Sequence, residues 1–316
     1  MAALDAGLAG RESQKRKAIL FSIGLILIIA LALGLGLGLT VGRKSDDDDK
    51  DEPPAPSPTA SPPPRAKWKP AVGDKWYIML QADLGIITTE DVKVIDLDLF
   101  DRSEEWINGL HKNGKKVICY FSAGSYEPWR PDAGDFKDED IGAVMDGWPD
   151  EKWLRIGSKN VRKIMAKRIE LAHQKGCDAV DPDNVDGFQN ENGLGLTAED
   201  SVAFVKFLSA TAASYNLSIG LKNAGDIIPD VLDFVDFSVN EECVEYAECE
   251  TFQAFIKAGK PVFHIEYPVI ENTTEVGWST TTVQKYCSHE GNAKGSEGFS
   301  TVLTTMELDG SIQYCD

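Results

Sequence analysis

Between Cys177 and Gln189 the chain reads CDAVDPDNVDGFQ, so Asp178, Asp181, Asp183 and Asp186 fall within nine residues. Ala179 and Val180 have the character of a short buried strand, and Pro182 is expected to keep a regular central strand from continuing. Carboxylates therefore gather where a strand runs out into a loop. A second such place follows the apolar run 234–239, where Asn240, Glu241 and Glu242 stand in a row. Two carboxylates at two strand ends are what glycoside hydrolysis needs: one attacks or activates water, the other protonates the leaving oxygen. Asp and Glu also favour loop starts, and Asn184 and Asp186 are turn formers. One cluster alone decides little; two in step with a strand–helix alternation carry more.

The elements that must position them can be read from residue 68 onward. Strands are predicted over 75–84, 92–100, 116–121, 177–180, 217–221, 234–239, 261–267 and 299–304. Helices are predicted over 104–113, 161–175, 198–215, 226–232, 251–258 and 279–290. In the second helix Val161, Ile164, Met165, Ile169 and Ala172 share a face and Gly176 ends it. Thr197 and Asp200 form a capping-box variant before the third. A long loop is expected between residues 122 and 160, with Trp129, Arg130 and Trp148 on it. Eight strands separated mostly by helices over some 250 residues have the rhythm of a (β/α)₈ TIM barrel. A doubly wound sheet is the alternative, but no glycine-rich nucleotide loop follows the first strand.

In such a barrel the strand C-termini ring one mouth. The ring contains Gln81, Asp83, Asp98, Tyr120, Ser122, Asp181, Asp183, Asn223, Glu241, Glu242, Glu266, Tyr267, Thr305 and Glu307. Phosphate chemistry would call for Arg, Lys or a metal set, and only Lys222 and Arg130 are near. Carboxylates, amides and aromatic rings suit sugars better. The DPDNVDG segment does not match a calcium loop, because Asp186 stands where that loop needs Gly. No metal or cofactor is expected.

The chain carries 51 acidic and 32 basic side chains, a net charge of −19. Residues 1–66 are balanced, so the excess lies on the remainder. That field disfavours nucleic acid and attracts cations. Residues 1–17 are expected to be a cytosolic tail. Residues 18–42 contain no charged side chain and are long enough to cross a bilayer as a transmembrane signal anchor. Basic residues dominate the N-terminal side, which predicts a single-pass type II orientation with the folded domain extracellular. Residues 43–66, acidic and then Pro-rich, read as a disordered stalk, and 67–316 as the catalytic domain. Six cysteines fit an oxidising compartment. A bond between Cys243 and Cys249 would clip a short loop, and one between Cys287 and Cys315 would tie down the chain end. Cys119 and Cys177 lie on neighbouring predicted strands, as a pair or as buried thiols. Asn216 and Asn272 begin glycosylation sequons.

The segments YFSAGSYEPWR (120–130), GCDAVDPDNVDGF (176–188) and SVNEECVEY (238–246) together resemble glycoside hydrolase family 114. The resemblance spans residues 67–316. It implies a (β/α)₈ barrel and an endo-α-1,4-polygalactosaminidase. The implied substrate is a cationic, partly deacetylated polymer of the galactosaminogalactan type, in keeping with the acidic domain. It also implies a catalytic Asp after the fourth strand and a Glu after the sixth, which fall on Asp183 and Glu241. Asp181 and Glu242 lie close enough to compete. Asp183, among hydrogen-bond donors, is expected to be the nucleophile. Glu241, after an apolar strand, is expected to have its pKa raised by desolvation and to be the acid/base of a retaining reaction. Asp98, Tyr120, Asp181, Asn223, Glu242, Tyr246 and Glu266 are the expected substrate-binding residues, and the domain is expected to be monomeric. The alternatives are a non-catalytic surface carbohydrate-binding protein, a hydrolase of another α-linked polysaccharide, and a structural wall-anchored protein.

Overall fold

A computed structural model describes residues 68–81, 91–269, 277–308 and 311–315. The predicted tail, anchor and stalk, together with Asp83 and Asn272, lie outside the described residues. Among the described residues no helix is long and apolar enough to cross a membrane.

Eight short parallel strands follow one another in chain order around a nearly closed sheet: β1 (Trp76–Met79), β2 (Val94–Asp98), β3 (Lys116–Ser122), β7 (Ala179–Asp183), β8 (Ser218–Lys222), β9 (Phe237–Glu241), β10 (Val262–Glu266) and β11 (Ser300–Thr304). Strand β7 runs on through Pro182 to Asp183, against the expectation that the proline ends it: there it stays in register with β3, whereas its pairing with β8 stops at Val180. The remaining strand of this sheet, β12 (Ile312–Tyr314), runs antiparallel to β11. The first and last parallel strands meet across the seam, where Trp76 Nε1 donates to the Ser300 carbonyl at 2.8 Å. Sequential parallel order with one crossover after another is the winding of a (β/α)₈ barrel.

The crossovers include α1 (Glu104–Lys112), α2 (Lys159–Lys175), α3 (Ala198–Ser214), the single turn α4 (Ile228–Val231), α5 (Cys249–Lys257) and α6 (Thr280–Cys287). Their ends carry the signals read above. Ser158 caps α2 and Gly176 ends it at φ +86°; Thr197 and Asp200 bond reciprocally at the start of α3.

Alternation along the strands makes two cores. Outward side chains such as Leu97, Phe121, Val180 and Leu221 meet the helices. Inward ones, Trp76, Ile78, Val94, Ile118, Ala179, Phe237, Val239, Phe263, Ile265 and Val302, fill the lower barrel. Gly220 makes room there: a Cβ on it would lie 2.5 Å from the Phe237 ring. Toward the strand C-termini the inward positions turn polar, through Asp96, Asp98, Tyr120, Asp181, Asp183, Lys222, Glu241 and Tyr267.

The expected long loop is instead a small antiparallel sheet. Strands β4 (Ser125–Tyr126), β5 (Ile141–Met145) and β6 (Trp148–Leu154) pair in the order β4–β6–β5. Asp146 and Gly147, the latter at φ +81°, connect β5 to β6. An ion-pair network ties this excursion to the barrel. Arg168 grips Asp132 with two 2.8 Å bonds and donates to the Ser122 carbonyl. Arg130 grips Glu127 and reaches Asp98 at 2.7 Å.

All six cysteines are bonded, as Cys119–Cys177, Cys243–Cys249 and Cys287–Cys315. Asn216 is exposed at the turn into β8.

Candidate active site

A cavity of about 600 Å³ opens at the C-terminal mouth of the barrel. On its floor Lys222, the last residue of β8, is only 4% exposed. Its ammonium lies 3.1 Å from Asp183 Oδ2 and 3.0 Å from Glu241 Oε2. The two carboxylates at the ends of β7 and β9 therefore share one cation.

Each carboxylate has further donors. The Tyr120 hydroxyl donates to Asp183 Oδ2 at 2.9 Å, and the Asn184 N–H donates to Asp183 Oδ1 at 2.7 Å. The Tyr267 hydroxyl donates to Glu241 Oε1 at 2.5 Å, and Asn223 Nδ2 donates to Glu241 Oε2 at 3.1 Å. Asn223 also accepts from the Glu241 N–H at 2.8 Å.

Local backbone fixes these partners. Asn184 and Asn223 have φ of +61° and +49°, left-handed positions that Asn tolerates. Gly124 lets the turn after β3 cross the β7 loop, because a Cβ there would sit 1.7 Å from the Asn184 carbonyl oxygen. The Ala123 and Gly124 N–H groups donate to the Asp183 carbonyl.

Electrostatics follow from this geometry. Burial by itself would push the Lys222 ammonium toward neutrality, but Asp183 and Glu241 outweigh it and hold the group charged well above its ordinary range. Burial likewise pushes Glu241 up; Lys222 and the Tyr267 and Asn223 hydrogen bonds outweigh that too, so its carboxyl sits below the ordinary value. This corrects the expectation of a raised Glu241, which considered the apolar strand and not the cation. Burial, then Asp183, pushes the Tyr120 hydroxyl well up; burial, then Glu241, does the same for Tyr267. Burial also raises Glu151 and Asp186, each to about 6.

The expected binding residues divide into four groups. Asp98, Tyr120 and Asn223 line the cavity with the carboxylate pair. Asp181 points into the barrel one inward position below Asp183 and is fully buried. Glu242 and Tyr246 line an adjoining hollow, and Tyr246 is 69% exposed. Glu266 faces the other way. It is buried on the helix side of β10, where it accepts from His264 Nε2 at 2.9 Å and from the Val244 N–H at 2.7 Å. Its inward neighbours on the strand are Ile265 and Tyr267, so parity along β10 excludes Glu266 from the mouth and makes it a brace for the loop after Glu241.

The sequence names Lys222 only as a nearby cation, gives Asp186 only as a clustered carboxylate and turn former, and does not point to Glu151. Met145, Trp148 and Glu151 reach the cavity from the β5–β6 hairpin. The signal for that hairpin was the Asp-Gly pair between Met145 and Trp148.

A family model described as glycoside-hydrolase family GH114 matches residues 57–316. The chain belongs to this family. It is a glycoside hydrolase. It is similar to a crystal structure of Aspergillus fumigatus Ega3 in complex with galactosamine, at 51% identity and a TM-score of 0.75, over 80% of this chain and 99% of that one. The glycoside hydrolase domain of PelA from Pseudomonas aeruginosa shares the fold at 13% identity and a TM-score of 0.59, over 76% of this chain and 97% of that one. No curated protein matches the sequence.

Proposed function

We propose that the GH114 domain is an endo-acting hydrolase of α-1,4-linked galactosamine in a cationic, partly deacetylated polysaccharide, and that it retains anomeric configuration. The observation that carries the mechanism is the shared ammonium. Two oxygens at 3.1 and 3.0 Å from one nitrogen lie no more than about 6 Å apart. Retaining pairs stand about 5–5.5 Å apart and inverting pairs about 6.5–9.5 Å. The substrate class rests on the similarity to Ega3, which was crystallised with galactosamine, and on the acidic cavity.

In this reading an Asp183 oxygen attacks the anomeric carbon. The bond to the glycosidic oxygen breaks as that oxygen takes a proton from Glu241. Water then gives a proton to Glu241 and attacks the same carbon, releasing the Asp183 carboxylate. Glu241 must be protonated in the first step and ionised in the second, and Lys222 supplies the difference. While Asp183 is a free carboxylate it shares the ammonium, so Glu241 holds a proton more readily than it does after Asp183 is esterified. Once Asp183 is esterified, its charge is gone, Lys222 is left to Glu241, and the carboxyl becomes a base. The free protein, with Glu241 ionised, takes up its proton as substrate binds.

We also propose that residues 18–42 anchor the chain in the cell membrane in a type II orientation. Detection of the catalytic domain on intact cells by surface proteolysis tests this; a domain protected from external protease would end the proposal.

The test of function is hydrolysis of α-1,4-galactosamine oligomers by the protein beside Asp183→Asn and Glu241→Gln, with products read by mass spectrometry. Internal cleavage is expected, falling by a factor on the order of 10⁴ or more in each variant. Binding without cleavage by folded wild-type protein would favour a carbohydrate-binding role. An inverted first product in early-time NMR would remove Asp183 as nucleophile.

A further inference from the structure

Beneath the catalytic pair lies a second pair of carboxyls that the reaction above leaves unused. Asp96 on β2 and Asp181 on β7 point into the barrel one inward position below Asp98 and Asp183, and both are 0% exposed. Among the described residues, none of their four oxygens meets a hydrogen-bond partner. In a barrel the inward side chains of alternate strands form a layer. Asp96 and Asp181 come from the second and fourth parallel strands, with β3 between them. Register sets Asp96 beside Ile118 and Asp181 beside Tyr120. Lys222 and Tyr120, from the fifth and third strands, stand between this lower pair and the carboxylates of Asp183 and Glu241. Of the three protons on the Lys222 ammonium, two are accounted for by those carboxylates.

We propose that Asp96 and Asp181 keep at least one proton between them and act as positioning residues, leaving the Lys222 ammonium committed to Asp183 and Glu241.

Two fully buried carboxyls without side-chain donors cannot both ionise at ordinary cost. If they did, the single Lys222 ammonium would face four carboxylates: two above it and two below. It would be drawn from the pair that it holds. Retained protons remove that competition. Burial is the main cause that raises Asp96, to about 8, against the pull of Lys222 and of the Leu97 backbone N–H. Burial and then the neighbouring Asp96 raise Asp181 well above its ordinary value. The charged and titratable groups facing the pair are Asp98 on β2, Tyr120 on β3, Asp183 on β7, Lys222 on β8 and Glu241 on β9. Arg130 pairs with Asp98 at 2.7 Å and screens that carboxylate. The consequence for rate rests on the proposed hydrolysis; the retained proton does not.

Two measurements on the protein test these parts separately. Infrared spectroscopy in the absence of substrate reads un-ionised carboxyl groups directly. At pH 7.5 Glu151 and Asp186, at about 6, are mostly ionised, and a residual un-ionised carboxyl band is expected. It should fade as the pH rises through 8 and diminish in Asp96→Asn and in Asp181→Asn. A wild-type spectrum with no such band, or a band unchanged in both variants, overturns the proposal whatever the enzyme hydrolyses. The second measurement is the pH profile of kcat/KM on amino-sugar oligomers. An Asn cannot gain the second charge, so each variant should keep neutral-pH activity within about threefold and carry its alkaline limb at least one pH unit higher. Substrate amines titrate alike with every variant and cancel. Superimposable alkaline limbs would remove the positioning role, even with the band present. If Asp181→Asn does not fold, Asp96→Asn and the wild-type titration still decide the matter.

Discussion

At the scale of single residues the site turns on Lys222. It is a buried cation whose charge is stabilised chiefly by the carboxylates beside it, with the Tyr120 ring 5.7 Å away, so each partner depends on the other. Replacing it with Met should leave burial at Glu241 opposed by the Tyr267 and Asn223 hydrogen bonds without the cation. The carboxyl would then keep its proton to higher pH than in the wild type, and the alkaline limb of kcat/KM, where the general acid loses its proton, should shift upward. The rate at the optimum should fall by about 10²–10³, the usual effect of removing one electrostatic contact in a closed site. The sign for stability follows from the same shift. A carboxyl lowered by folding stabilises the fold above its unfolded value near 4.5 and loses that contribution as pH falls through the folded value. The Met variant should therefore lose most stability near neutrality and approach the wild type in acid, as read by thermal melts across pH. Asp183, Glu241, Tyr120, Asn223 and Asp98 were legible because polar residues just after apolar runs announce strand ends. Lys222 was not, because a lysine at a strand end ordinarily reaches solvent. Only the inward parity of β8, shared with Gly220, turns it into the barrel. Glu266 was misread for the converse reason, since a shift of one residue on β10 exchanges mouth for helix face.

At the scale of elements, the barrel strands and most helices were legible because their periodicities differ and Gly or Ser marks their ends. The excursion holding β4–β6 was not. WPDEKWL contains a proline and three charges, and a short exposed strand of that composition buries too little apolar surface to show alternation. Two disulfides illustrate how stability and activity separate among these elements. Cys119–Cys177 links β3 to the start of β7 across 58 residues, whereas Cys243–Cys249 spans 6. Chain-entropy arguments give about 4 kcal/mol for the first and about 2 kcal/mol for the second. The short one nevertheless holds the loop that immediately follows Glu241, where Glu242 stands at φ +61° and Val244 is braced by Glu266. Paired Cys→Ser replacements should thus rank oppositely. Loss of Cys119–Cys177 should lower the denaturation midpoint more, and loss of Cys243–Cys249 should lower kcat more. Equal losses of kcat from both would show that the β9 loop does not need its clip.

For the whole molecule the governing quantity is charge. The net −19 resides beyond residue 66, and part of it converges on the mouth. Asp98, Glu127, Glu151, Asp183, Asp186, Glu241 and Glu307 line the cavity against Lys222 and Arg130. The adjoining hollow adds Asp226, Glu242 and Glu248, with no Lys or Arg among its described lining residues. Such a field steers a cationic polymer along the groove and raises its encounter rate, while a neutral polymer feels nothing. Salt distinguishes the cases, because the screening length shrinks from about 10 Å at 0.1 M to about 3 Å at 1 M. On free-amine oligomers kcat/KM should fall several-fold over that range, with kcat nearly unchanged because the buried Lys222 contacts are poorly screened. On N-acetylated oligomers of the same length it should stay flat. Equal salt slopes for both substrates would detach the acidic surface from substrate choice and leave it a matter of solubility. A steep slope in kcat itself would mean that salt reaches the Lys222 contacts, against the burial seen at the cavity floor.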